Sequence, residues 1–191
     1  MMKILLLLKK LLSEFDPYGV EHGERVAELS VRLATAAGID PASQLMRDIQ
    51  TAALIHDVGK VGVPESVRRQ QGKFLPSERT AMQLHVIYGA ELLELVINGT
   101  INRRVVDFVK FHHKDFNGGG YPADPLQGAE IPIGARIIRI CDTYDAMGHD
   151  RGYRQGLPPA SCLQEMTDDQ SKSQLFDPEL FRLFLEMMKD V

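Results

Sequence analysis

Apolar residues recur at helical spacing along most of the chain, and no run alternates convincingly in the manner of a β-strand. The clearest stripe consists of Val26, Leu29, Leu33 and Ala37. Gly38 follows it as a helix stop, and Asp40-Pro41 predicts the capped start of a second helix that runs into His56. Residues 61–63 are extended in character. The pattern as a whole predicts an all-α protein.

Helical spacing continues through the second half of the chain. Ser77 predicts the cap of a helix that starts around Pro76, and Asp177 predicts the cap of the last helix. Between them the pattern predicts helices over residues 90–97, 101–113 and 132–147. Because no internal repeat or low-complexity linker interrupts this order, residues 16–191 are predicted to form a single globular domain.

Residues 1–15 carry an apolar stripe that lysines interrupt. Its members are Ile4, Leu7, Leu8, Leu11 and Leu12. We predict an amphipathic helix that packs on the domain or on a partner, and a homodimer formed through this stripe is one interpretation. The alternative is a role at a membrane surface. A transmembrane segment is not expected, because spanning a bilayer takes about 20 apolar residues.

Composition narrows the partners that can be expected. The 191 residues are 44% hydrophobic and 25% charged, which suits a globular chain with a core of its own. The net charge of -4 and an isoelectric point near 5.9 argue against binding to a DNA or RNA polymer. Only Cys141 and Cys162 are present, so no disulfide framework is expected and the predicted location is cytoplasmic.

The most informative motif is His56-Asp57, which ends an apolar run and is followed by Lys60. An imidazole beside a carboxylate is costly to bury unless a divalent metal holds both. Lys60 would lie about one helical turn beyond His56 and would direct its charge at an anionic substrate group. The motif therefore predicts a metal-dependent hydrolase of phosphate esters, although such a pair alone is more often a surface or capping pair.

Further candidate ligands recur at intervals that a helical bundle brings together. They are His22, His85, His112, His113 and Asp142. The gaps between them from Asp57 onward are each roughly 30 residues, about one helix and its return. Alone, His85 has an ordinary explanation as a core residue, and His22 as a solvent-facing one. Their joint occurrence favours two metal ions about 3.5–4 Å apart, and the mixed set suits iron, manganese, zinc or nickel.

A glycine-rich loop over residues 117–122 follows the paired histidines. Three consecutive glycines cost backbone entropy, and they leave room for a ligand to come close to the backbone. A flexible turn without further function is the alternative explanation.

In this order the motifs resemble the HD-GYP domain, a subgroup of the HD metal-dependent phosphohydrolases. The resemblance covers the chain from about His22 to Phe184. It is carried by residues 52–64 with His56-Asp57, by His112-His113 followed by Gly120-Tyr121-Pro122, and by residues 135–147, 150–154 and 176–178. It implies an HD-domain helical bundle with extra C-terminal helices, in which residues 1–15 precede a catalytic domain over residues 16–191.

The resemblance also implies an activity, namely hydrolysis of the bacterial second messenger cyclic di-GMP to linear pGpG, with GMP as an optional further product. The nucleophile that it implies is a metal-bridging hydroxide, and the cofactors are two divalent ions, iron or manganese. By motif position the metal ligands are His56, Asp57, His85, His112, His113 and Asp142. Asp57, which would bridge the two ions, and Lys60 are the predicted catalytic residues.

Substrate contacts, chiefly with phosphates, are implied for a second set of residues. These are Lys60, Gly120, Tyr121, Arg151 and Arg154. Some positions depart from the family pattern, because Lys114 stands where a glutamate is usual and Asn117 where an acidic residue is usual. Tyr18 replaces a glutamate that helps some members to bind a third metal. His22 is the candidate ligand of that third ion, and without the glutamate two ions are favoured over three.

Three hypotheses follow from these observations. The first is a cyclic di-GMP phosphodiesterase, for which stopping at the linear dinucleotide is a corollary. The second is an HD phosphohydrolase of another cyclic dinucleotide or of a nucleotide. The third is a weakly active module that binds cyclic di-GMP or docks a signalling-protein partner through the loop at residues 117–122.

Overall fold

The computed structural model describes residues 2–16, 18–70, 72–97, 101–150 and 155–190. Over these ranges the chain is helical, and its β-type pairing is limited to an isolated antiparallel bridge between Lys114 and Gly120. The α-helices are α1 (Met2–Phe15), α2 (Gly19–Ala36), α3 (Gln44–Ile55), α4 (Glu65–Arg68), α5 (Pro76–Gln83), α6 (His85–Ile97), α7 (Arg103–Phe111), α8 (Ile133–Gly148), α9 (Pro159–Ser173) and α10 (Pro178–Met187). Short 3-10 helices span Val58–Gly62, Gly128–Glu130 and Met188–Asp190. The predicted all-α fold is confirmed.

The centre of the bundle is built from α2, α3, α7 and α8. Helix α2 packs on α3 and α8, α7 packs on α3, α6 and α8, and the C-terminal helices α9 and α10 cover α8. Apolar side chains that are fully buried include Leu33, Ile49, Ile55, Leu93, Ile137, Ile138 and Ile140. Burying apolar surface contributes about 25 cal/mol per Å², so this core is the main source of stability.

The start of α3 differs from the prediction made from Asp40-Pro41. The helix begins at Gln44, where the Ser43 hydroxyl accepts a hydrogen bond from the Met46 amide at 3.1 Å. The Asp40 carboxylate instead accepts a bond from the amide of Ala42 at 2.9 Å. This local turn competes with the capping role that the aspartate was expected to play.

Two other boundaries also differ. Helix α5 begins at Pro76 as expected, but its N-cap is Leu75, whose amide donates to the Glu78 carboxylate at 2.7 Å, and Ser77 lies inside the first turn. Residues 61–63 are not extended throughout, because the 3-10 helix runs to Gly62.

Helix α1 lies against α2, α3 and the 3-10 helix Val58–Gly62. Leu8 and Leu12 are buried in these contacts, whereas Leu6 and Leu7 are 60% and 66% exposed. Ile4 and Leu11 are half-buried, so four of the five residues of the predicted stripe lie on the covered side of α1, and Leu7 is the exception. Among the described residues, none of the helices combines the length and the apolar character that crossing a membrane requires.

The 3-10 helix after Asp57 packs closely on the start of α6, and Gly59 makes this approach feasible. A Cβ atom at Gly59 would lie 1.9 Å from the carbonyl oxygen of His85 and 2.3 Å from the amide nitrogen of Gly89. No side chain fits such a gap. The glycine thereby holds Lys60 and His85 on neighbouring elements.

Candidate metal centre

Three buried histidines stand at helix ends and share one arrangement. His56 is the C-cap of α3, His112 is the C-cap of α7, and His85 is the first residue of α6. In each, Nδ1 lies within hydrogen-bond distance of the carbonyl oxygen three residues earlier. These carbonyls belong to Ala53, Val109 and Met82, at 2.8, 2.7 and 2.8 Å. Because a carbonyl only accepts, each Nδ1 carries the proton and each Nε2 presents its lone pair to the interior.

The inward-facing atoms converge on one place. Three sets of side chains each offer ligand atoms that lie within 4.8 Å of one another. The sets are His85 with His112 and His113, His22 with His56 and Asp142, and His56 with Asp57 and His112. The third set shares His112 with the first and His56 with the second, so the three sets describe adjoining positions rather than separate sites. All six predicted metal ligands, and His22, are therefore brought together.

Asp57 lies between the histidines of this cluster. One carboxylate oxygen, Oδ1, is 3.4 Å from His85 Nε2, and the other, Oδ2, is 3.5 Å from His56 Nε2. Burial raises the pKa of Asp57, but Lys60 and the surrounding imidazoles outweigh it and hold that pKa well below its usual range. The group is thus an anion with an oxygen directed at each side of the cluster.

Asp142 closes the opposite side of the cluster. Its Oδ1 is 3.0 Å from His22 Nε2 and 3.7 Å from His56 Nε2, and its Oδ2 is 3.9 Å from His113 Nδ1. Burial raises the pKa of this carboxyl group, but the hydrogen bond with His22 and the nearby imidazoles of His56 and His113 bring it well below its usual range.

His22 is buried, so the alternative of a solvent-facing position is wrong. Its Nε2 faces Asp142, and its Nδ1 is 2.6 Å from Asp145 Oδ2. Burial lowers the pKa of His22, but the hydrogen bonds with Asp142 and Asp145 raise it to about 9.

Three of the other histidines, His85, His112 and His113, are held in the neutral form. Burial, with His56 and His85 nearby, lowers the pKa of His112 to about 3, and burial also lowers the pKa values of His85 and His113. Neutral imidazoles are the form that binds metal.

The donor set fits divalent metal ions on two observations. His56 Nε2 is buried without a hydrogen-bond partner among the described residues. His85 Nε2 and His112 Nε2 face each other at 3.4 Å, and both present lone pairs because their protons are on Nδ1. Unpaired buried acceptors and facing lone pairs are unfavourable unless a cation lies among them.

Lys60 lies at the edge of the cluster. Its ammonium group is 2.6 Å from Asp57 Oδ2 and 3.2 Å from Asp16 Oδ2. Asp16 follows α1 directly, and Arg68 fixes this end of the helix by donating to the carbonyls of Phe15 and Val63. Lys60, a predicted catalytic residue, is therefore held both by Asp57 and by Asp16 at the end of α1.

Tyr121 packs beside the cluster. Its ring centroid is 4.6 Å from that of His113 and 6.0 Å from that of His85. Burial and the nearby carboxylates raise the pKa of the phenol, which keeps its proton available for donation.

Gly120 precedes Tyr121 and has φ +71°. A Cβ atom there would lie 2.2 Å from the His113 carbonyl oxygen. The missing side chain is thus required by the protein's own backbone. That the glycines also leave room for a ligand, and that Gly120 contacts the substrate, stay predictions.

Lys114, which stands where the resemblance to the HD-GYP domain leads us to expect a glutamate, contacts the loop at residues 117–122. It is buried, and its ammonium group donates to the Gly118 carbonyl at 2.8 Å. The neighbouring Asp115 accepts from Arg139 Nε and Nη2 at 3.0 and 2.8 Å. The two charges are therefore used to hold the loop at residues 117–122 against α8. The predicted substrate ligands Arg151 and Arg154 lie outside the described residues.

Sequence reasoning missed three residues of the site: Asp16, Arg25 and Asp145. Arg25 lies one helical turn after His22, and Asp145 one turn after Asp142. Residues three apart on a helix share a face. That spacing was the available signal for Arg25 and Asp145, whereas the contact of Asp16 with Lys60 depends on how α1 packs.

Comparison with known proteins places this geometry in a family. The model of the HD domain family matches residues 7–180. The 3'3'-cGAMP-specific phosphodiesterase 2 of Vibrio cholerae serotype O1 is 37% identical over 169 residues, which are 86% of this chain and 30% of the relative. The cyclic di-GMP phosphodiesterase of Thermotoga maritima is 32% identical over 182 residues, which are 95% of this chain and 48% of the relative. The chain thus spans less than half the length of these curated relatives.

A solved structure shows the same fold. Bd1817, an HDG"Y"P protein from Bdellovibrio bacteriovorus, has a TM-score of 0.72 at 19% identity and covers 90% of this chain and 52% of that chain. The resemblance indicated by the motifs and the predicted enzyme class are confirmed at the level of the family. With a family match that runs through nearly all of its helices, the chain belongs to the HD domain family.

Proposed function

We propose that this protein is a metal-dependent phosphodiesterase that opens a cyclic dinucleotide, with cyclic di-GMP as the first candidate substrate and linear pGpG as the product. The observation that carries the proposal is the position of Asp57, whose two oxygens face His85 and His56 at 3.4 and 3.5 Å. A carboxylate with a histidine on either side suits a bridge between two divalent ions. Iron and manganese are the ions proposed, because they accept mixed imidazole and carboxylate ligands.

The residues divide into those that would hold the ions and those that would handle the phosphate. His85, His112 and His113 would hold one ion, and His56 and Asp142 the other, with Asp57 between them. When bound, such ions supply an activated water near neutral pH and neutralise charge on the phosphoryl oxygens. Every ligand nitrogen in the first set belongs to an imidazole with a depressed pKa, so the set is ready to bind without losing protons.

Lys60 would act on the substrate rather than on the ions. Its ammonium group already lies 2.6 Å from Asp57, so a phosphate at the cluster would come within reach of a fixed positive charge. Tyr121, beside His113, would donate its phenolic proton to the same phosphate or orient the base. Arg151 and Arg154 are proposed as further phosphate contacts on the strength of the motif alone.

A different cyclic dinucleotide is the second candidate substrate. The relative with 37% identity is named as specific for 3'3'-cGAMP, whereas the one with 32% identity is named for cyclic di-GMP. Either substrate would be opened at a phosphodiester bond. The residues of the metal centre would act on that bond and would not distinguish one base from another. The weakly active binding module is less favoured, because the whole ligand set is retained.

The proposal is tested by incubating the purified chain with cyclic di-GMP, 3'3'-cGAMP or cyclic di-AMP, with iron or manganese under reducing conditions. Products are separated by chromatography over time. We expect linear dinucleotide from at least one substrate, and cyclic di-GMP to be opened fastest. GMP released as fast as the ring opens would contradict pGpG as the end product.

Two aspartate variants make the result specific. Asp57→Asn should abolish turnover and lower metal content, whereas Asp107→Asn, which changes an acidic residue on α7 outside the cluster, should leave both unchanged. Hydrolysis that survives Asp57→Asn would overturn the mechanism. Metal and nucleotide binding without hydrolysis would favour the binding module instead.

A further inference from the structure

His22 is held from behind by a carboxylate that belongs to no metal-binding set. Asp145 on α8 is 1% exposed, and its Oδ2 lies 2.6 Å from His22 Nδ1. On the other side of the ring, Nε2 faces Asp142 at 3.0 Å and Asp57 at 4.0 Å. The imidazole therefore spans two carboxylates, one inside the cluster and one behind it.

Arg25 fixes the orientation of Asp145. Its Nε is 2.8 Å from Asp145 Oδ1 and its Nη2 is 3.0 Å from Oδ2, a bidentate pair. His149 adds a third contact, with Nδ1 at 3.1 Å from Oδ1. A carboxylate held at both oxygens cannot rotate away from the histidine, so the direction of the His22 ring is set by α2 and α8 together.

The two helices meet through matched pairs. His22 and Arg25 lie one turn apart on α2, and Asp142 and Asp145 lie one turn apart on α8. Packing of α2 on α8 brings the two helices into register, so that His22 and Asp142 face the cluster, while Arg25 and Asp145 pair behind it.

We propose that Asp145, clamped by Arg25, is a positioning residue that fixes the ring of His22 with Nε2 directed into the metal centre. A histidine that donates one ring proton to a carboxylate is fixed in tautomer and orientation, and its other nitrogen becomes a better ligand. The orientation of His22 within the set His22, His56 and Asp142 is thus supported from α8.

This inference rests on the metal centre of the proposed function but not on the identity of the substrate. Its test therefore uses Mn²⁺ alone, titrated into the metal-free chain of 191 residues, with stoichiometry and affinity measured by calorimetry and metal analysis. Asp145→Asn should weaken one class of Mn²⁺ sites by about 10–100-fold, as loss of a supporting carboxylate commonly does. His22→Ala should weaken the same class, and Asp145→Asn combined with His22→Ala should be no worse than His22→Ala alone.

Arg25 provides a variant that is less demanding for folding, because its side chain is 34% exposed. Arg25→Gln should weaken the same class of sites by a smaller factor, and Arg25→Lys should recover part of the loss, since a lysine offers charge without the bidentate fork. The matched control is Asp48→Asn. Asp48 is also a buried carboxylate paired with an arginine, Arg104, at 2.8 Å, but it lies outside the three ligand sets.

Each outcome decides the proposal. Asp145→Asn and Arg25→Gln that bind Mn²⁺ like the unmodified chain would overturn the positioning role and leave the metal centre standing. A loss of Mn²⁺ affinity in Asp48→Asn equal to that in Asp145→Asn would also overturn it, because the effect would then be structural. If the unmodified chain bound no metal at all, the metal centre itself and this inference would both fail.

Discussion

Lys60 Nζ lies 2.6 Å from Asp57 Oδ2, so the positive charge nearest the predicted bridging carboxylate belongs to the same motif. The pairing gives the two residues different tasks. Asp57 is directed at the histidines, and Lys60 is left at the edge, where Asp16 also contacts it at 3.2 Å. Changing one residue should therefore have consequences unlike those of changing the other.

Replacing Lys60 should separate chemistry from metal binding. We expect Lys60→Ala to lower kcat by about 100-fold, the usual cost of removing one group that stabilises transition-state charge, while Mn²⁺ stoichiometry stays unchanged. Steady-state kinetics and metal analysis of the same preparation check this. Lys73→Ala, an exposed lysine, serves as control. A parallel loss of metal in Lys60→Ala would contradict the division of roles.

His56 should matter more for metal content than His113. His56 belongs to two of the three ligand sets, and its Nε2 is buried without a hydrogen bond among the described residues, whereas His113 belongs to one set. We expect His56→Gln to lose most of the bound Mn²⁺ and His113→Gln to retain part of it. Removal of metal should also lower stability, by about 2.7 kcal/mol when the free ion had been present at 100 times its Kd. Metal analysis and thermal unfolding with and without chelator test both statements, and equal losses in the two variants would contradict the first.

The pH dependence of the metal-free protein should reveal His22. Its pKa is raised from 6.5 to about 9, because hydrogen bonds with Asp142 and Asp145 outweigh burial. A raised pKa stabilises the folded state fully below pH 6.5, and this stabilisation is lost as pH rises toward 9. The difference in unfolding free energy between the unmodified chain and His22→Gln should therefore shrink over that range, by an amount on the order of 3 kcal/mol. Denaturant unfolding in chelator measures the difference, and a constant value would show that His22 is not charged in the folded protein.

Gly120 and Gly38 allow backbone strain to be separated from a clash. Both have positive φ, +71° and +81°, but a Cβ atom would meet the His113 carbonyl at 2.2 Å in Gly120 and nothing within 4 Å in Gly38. We expect Gly38→Ala to lower the free energy of unfolding by about 1–2 kcal/mol, because alanine is disfavoured in the left-handed backbone conformation. Gly120→Ala should cost clearly more and should also lower turnover, because the loop carrying Tyr121 must move. Chemical denaturation of both variants checks this, and equal costs would mean that the loop yields without effect.

The helices could be predicted from the sequence where a single strong signal marked them, as with Asp177 before α10, whose carboxylate accepts from the amides of Glu179 and Leu180. The start of α3 could not, because Asp40 and Ser43 are both good caps and a local turn at Asp40 decided between them. The gathering of distant histidines followed from regular spacing and from the family resemblance. The support of the site by Asp145 and the contact of Asp16 with Lys60 depend on how helices cross, which spacing along the chain does not specify.

The capping role of His56 and His112 ties the chemistry of the centre to the points at which α3 and α7 stop. One residue of helix turns a side chain by about 100°, so adding or removing a single residue within either helix would swing its imidazole out of reach while leaving the bundle largely intact. Insertions should therefore be tolerated in the connections between helices far better than within these two. The points at which these two helices end therefore determine where His56 and His112 can hold metal ions.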